Sequence, residues 1–97
     1  MSDPEPETPK GAAPPPPISF GAFVLMLSTS ARIHLGDAPA PGSDSPGEVD
    51  LEGARQTIDI LEMLQAKTQG NLEPEEEALL ASVLHALRLR FVEKRGA

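Results

Sequence analysis

From Glu48 to Arg95 the chain reads EVDLEGARQTIDILEMLQAKTQGNLEPEEEALLASVLHALRLRFVEKR, and its apolar residues recur at steps of three and four. That period predicts two amphipathic helices joined by a tight turn. In the first of them Leu51, Ala54, Ile58 and Leu61 centre an apolar half that Ile60 and Leu64 widen. Glu52, Arg55, Gln56, Asp59, Glu62 and Lys67 take the other half, with Met63 exposed among them. In the second, Leu80, Val83, Leu84, Leu87 and Phe91 face one way, flanked by Leu79 and Ala86. A thinner stripe through Ala78, Ala81, His85, Leu89 and Val92 lies on the far side, at the spacing a partner helix uses. Gly70 stops one helix and Pro74 opens the next, with Glu75, Glu76 and Glu77 at its positive end. So short a link predicts antiparallel neighbours, a helical hairpin.

A further helix is expected from Ser19 or Phe20 to Leu35, with Ser19 as N-cap and Gly36 as the left-handed stop. Phe20, Phe23, Val24, Leu27, Ala31 and Leu35 form one stripe, while Ala22, Leu25, Met26 and Ile33 spread over the opposite side. A helix apolar nearly all round is covered by protein on several sides. The segment Gly36 to Gly47, with three prolines and three glycines, reads as an exposed loop. Two caps compete for the following helix: Ser45, through the box Ser45-Pro46-Gly47-Glu48, and Asp50. The predicted organisation is a disordered Pro- and acid-rich tail over 1–17 and a helical domain over 18–97. Its helices run over about 19–35, 48–69 and 74–95, with a loop at 36–47. Pro14 to Pro17 favour polyproline II and read as a spacer.

These elements define an all-α domain of three helices, helix 1 packed across the hairpin of helices 2 and 3. Its size leaves the core marginal. Of 97 residues only about 60 to 65 remain for it, and a core that small gains stability from disulfides, metals or a second chain. The chain has no cysteine, so oligomerisation is the expected remedy. The candidate interface residues are Phe20, Phe23, Val24, Leu25, Met26, Ile33, His85, Leu89 and Val92.

A net charge of −7 disfavours nucleic acid, which demands cations that displace condensed counterions. Arg88, Arg90, Lys94 and Arg95 cluster, but at the end of a helix that begins with glutamates, where the macrodipole favours them. The run Ile18 to Leu27 is too short to span a bilayer before Ser28, Thr29, Ser30, Arg32 and His34 interrupt it. It also lacks the basic flank of a secretory signal, so the cytoplasm is expected.

No catalytic constellation assembles. His34 and His85 stand in no two-ligand helical arrangement, so neither a metal nor a cofactor is expected. His34 reads as a packed core edge, and His85 as a group placed to tune association near neutral pH. Glu73 to Glu77 are a solvated cap rather than carboxylates held apart in a cleft. Ser28, Thr29 and Ser30 have no base beside them, and no enzyme activity is expected.

Several pieces carry a family resemblance: the Ser/Thr-rich segment ending Ile33-His34-Leu35-Gly36, Asp50-Leu51 with Ala54-Arg55-Gln56-Thr57-Ile58-Asp59, Lys67-Thr68 with Gly70-Asn71-Leu72, and Leu87-Arg88 with Arg90-Phe91-Val92. Over about residues 18 to 93 the chain resembles the small bacterial family catalogued as domain of unknown function 1844. The resemblance implies a short, cytoplasmic, all-helical bacterial protein without assigned catalytic residues. It singles out His34, Arg55, Gln56, Asp59 and Arg90 as polar positions of structural interest, and an Asp59–Arg90 ion pair is expected to lock the hairpin or a dimer register. Elimination leaves a non-enzymatic helical interaction or scaffold module that associates with itself and with another protein. Two other classes stay open. One is an accessory of a nucleic-acid machine such as the translation apparatus; the other is reversible membrane association through helix 1.

Overall fold

The computed structural model describes residues 17–96. Apart from Pro17, the tail expected to be disordered lies outside the described residues. Three helices follow in order: α1 over Phe20–His34, α2 over Leu51–Lys67 and α3 over Pro74–Gly96.

Local chemistry accounts for each helix end. The Ser19 Oγ accepts from the Ala22 N–H at 3.0 Å and satisfies one of the donors a helix start leaves free. At the other end of α1, Gly36 adopts φ +80°. Its N–H donates to the Ile33 carbonyl, and the Asp37 N–H donates to the Arg32 carbonyl. Those two bonds make a Schellman motif.

Of the two competing caps for α2, Asp50 is the one used, its carboxylate accepting from the Gly53 N–H at 3.0 Å. The residues of the Ser45 box stay in the loop. There Pro39 and Pro46 form an isolated bridge, and the Ser43 N–H closes a turn onto the Ala40 carbonyl over Gly42 at φ +83°. Glycine at that place suits a type II turn. On α3, the Glu76 carboxylate reaches back to the Glu73 N–H at 2.9 Å, the reciprocal half of a capping box.

The directions of the helices follow from which residues meet. Glu62 bonds Arg88, while Gln65 and Thr68 share a hollow with Leu80 and Ala81, so α2 and α3 are antiparallel. The Asp50 N–H donates to the His34 carbonyl at 2.7 Å, which turns α2 back against α1. Gly21 faces Leu79, and Asp37, just past α1, bonds Arg90; α1 and α3 therefore run parallel. All three helices contact one another.

The core draws three residues from each: Val24, Ala31 and the capping Leu35; Ala54, Ile58 and Leu61; Leu80, Leu84 and Leu87. Phe20, Leu27, Leu51, Leu64, Val83 and Phe91 pack around them. Thr57 is the one buried polar residue among those described, its hydroxyl donating to the Gly53 carbonyl at 3.2 Å. Gly53 allows a close approach where α2 starts against α1. A Cβ there would come 2.6 Å from the Asp50 carboxylate and 3.0 Å from the His34 ring.

Candidate functional site

The most concentrated polar constellation joins the end of α1 to the last turns of α3. The Arg90 guanidinium donates to both oxygens of Asp37, at 2.6 and 2.9 Å, and to Glu93 at 2.7 Å. The Lys94 ammonium stands 3.4 Å from the same Asp37 carboxylate. The forked geometry is the one guanidinium offers a carboxylate. Hydrogen bonding from Arg90 holds the Asp37 carboxyl down to about 2, against the opposing effect of desolvation and with Lys94 assisting. Asp37 and Glu93 in turn raise the Arg90 guanidinium above its ordinary value.

Arg90 thus bonds across the molecule to Asp37 rather than to Asp59, which is exposed on α2. The physical reason is angular. Residues two apart on a helix point about 200° apart, so Arg88 faces α2 and bonds Glu62 at 2.8 Å, while Arg90 faces the α1 side. Asp37 went unremarked in the sequence although it directly follows the glycine stop. The signal was an arginine beside the apolar stripe of helix 3, which needs a carboxylate from whichever element packs there.

The ion-paired corner is structural in its chemistry. Because the folded-state carboxyl is held below its ordinary value of 3.8, its contribution is fully present above that pH and is lost as pH falls towards 2. Both partners are partly solvated, which keeps the pair's contribution modest. Asp37→Asn is therefore expected to lower stability modestly at pH 7. Urea melts of protein and variant should converge only below about pH 2, and a difference that persists well below it would contradict the assignment.

Next to this corner, an open groove of about 510 Å³ between α1 and α3 is lined by Ser28, Arg32, Asp37, Ser82, Val83, Ala86, Leu87 and Arg90. Its acid and its α3 cation are already bonded to each other. Elsewhere, the His34 Nδ1 is buried without a hydrogen-bond partner among the described residues, the ring lying against Gly53. Arg55 and Gln56 are exposed on α2. Among the described residues no three histidines or carboxylates stand where a metal ion would be held. No described helix is long and apolar enough to cross a membrane.

The candidate interface residues divide. Val24 is fully buried and belongs to the core, because the face of α1 that carries it is enclosed by α2 and α3. Phe20 is half-buried against that core, and Ile33 is also half-buried. Leu25 and Met26 are 51% and 60% exposed, Phe23 less so. On α3, His85, Leu89 and Val92 all face outward, Leu89 and Val92 at 53% and 50%.

The fold and these surfaces define a small all-α domain of three helices, with an internal ion-paired corner and apolar residues on two outer faces. Residues 17–93 match the family described as Domain of unknown function (DUF1844), and the chain belongs to that family. No curated protein and no solved structure matches it.

Proposed function

We propose that this protein is a non-enzymatic interaction module that packs its exposed helical faces against other helices, those of its own copies included. The observation that carries the reading is the outer face of α1. From Phe20 to Ala31 the helix has no charged residue, yet Leu25 and Met26 stay more than half exposed. The core takes only one side of it. Apolar helical area of that kind is the material of helix-in-groove recognition.

The other classes have less behind them. Arg88, Arg90 and Lys94 are already paired with Glu62, Asp37 and Glu93, which leaves less cationic surface for the phosphates of an RNA machine. Reversible membrane binding draws on the same α1 face, but such helices add cations on the polar side, and α1 has none before Arg32.

Light scattering over a dilution series tests the self-association. The expected mass is at least twice the 10.3 kDa of one chain, persisting on dilution. Leu25→Glu together with Met26→Glu is expected to keep helicity while losing capture of the partner protein. Flotation of the unmodified protein with vesicles, abolished by the same pair, would instead support the membrane reading.

A further inference from the structure

We infer that α3 pairs antiparallel with α3 of a second copy of this chain, the two His85 side chains meeting at the two-fold axis. The inference rests on the self-association proposed above and names the surface and register it uses.

The exposed stripe on α3 runs through Ala78, Ala81, His85, Leu89 and Val92, opposite the core residues Leu80, Leu84 and Leu87. Its steps are three, four, four and three residues, an average of 3.5, which is the repeat of a two-helix seam. The order of steps is the same read from either end, with His85 at the centre. Turning a second copy end for end about that point lays Ala78 on Val92, Ala81 on Leu89 and His85 on His85. Each small side chain then faces a large one, as close packing requires. A parallel pairing sets alanine on alanine and leucine on leucine, leaving a gap at one end and crowding at the other.

Charge follows the same symmetry. The first turn of α3 holds Glu75, Glu76 and Glu77, and its last turn holds Lys94 and Arg95. Glu77 and Arg95 are 18 residues apart, about five turns at 3.6 residues each, so they share one flank of the stripe. End-for-end pairing brings Glu77 of each copy beside Arg95 of the other, twice by symmetry; on the other flank Glu75 comes beside Glu93, whose charge Arg90 already offsets within its own chain. It also sets the helix dipoles head to tail. An interface that uses one patch on both copies closes as a dimer.

Single cysteines test this directly, because the chain contains none and a disulfide forms only where Cα atoms approach within about 7 Å. Under mild oxidation His85→Cys is expected to link two chains. Val92→Cys alone should stay unlinked, whereas mixing Val92→Cys with Ala78→Cys should give a mixed dimer. Circular dichroism of each variant confirms the helical fold, and the 78/92 mixture decides the matter should His85→Cys misfold. A stable dimer by light scattering with no 78–92 link, or with Val92→Cys linking to itself, overturns the antiparallel register and leaves the self-association standing. A monomer at all concentrations overturns both.

Discussion

Leu84→Ala is expected to lower stability by roughly 2–5 kcal/mol, the range for removing a fully buried leucine side chain. Leu84 has no exposed surface and sits in the middle of the α3 core face, among Leu61, Leu80 and Leu87. With three core residues from each helix, few neighbours can move in to fill the space. Domains of this size hold only about 3–5 kcal/mol in total, so most of the molecules should unfold. Loss of the helical signal at 222 nm in a urea titration is the readout. Met63→Ala on the solvent face of α2, where Met63 is 53% exposed, should shift the same titration by no more than about 0.5 kcal/mol. Equal losses for the two would mean that the core has been assigned to the wrong faces.

Gly36→Val should destabilise by about 2–3 kcal/mol, since a β-branched residue is forced into the left-handed region. At φ +80° the new Cβ would also stand 3.2 Å from the Val49 side chain, which must give way. The damage is not confined to the turn. The Schellman bonds of Gly36 and Asp37 aim the Asp37 carboxylate at Arg90 and Lys94, so the variant should also lose part of the ion-paired corner. A thermal melt reads the whole effect. Combining Gly36→Val with Asp37→Asn should then cost less than the sum of the two, because both act on one network. Additive losses would show that the turn and the ion pair are independent.

Much of this fold is legible from short-range rules. Ser19, Gly36, Gly70 and Pro74 mark helix ends because capping, left-handed φ and the missing proline N–H act within a few residues. The apolar stripes of helices 2 and 3 are legible because one period fits and only one face of each is continuously apolar. Helix 1 was harder. Its two sides are both apolar, so although periodicity put Val24 on one stripe with Leu27, Ala31 and Leu35, it could not say which stripe turns inward, and Val24 was counted with the interface although it lies at the centre of the packing. Between Ser45 and Asp50 as the cap of α2, local chemistry had no preference. The choice goes with the Asp50 N–H reaching the His34 carbonyl, a contact between two helices.

The three helices, and every end discussed above except the start of α2, were set by the amino-acid sequence through interactions spanning three or four positions, each with its own residue signature. The tertiary structure alone decided which side of α1 turns inward and which carboxylate meets Arg90. Asp37 and Arg90 are 53 residues apart, and nothing in either neighbourhood specifies the other. They meet because the Schellman turn and the parallel packing of α1 on α3 bring the end of one helix beside the last turns of the other, and an arginine at the rim of that packing takes the carboxylate it delivers.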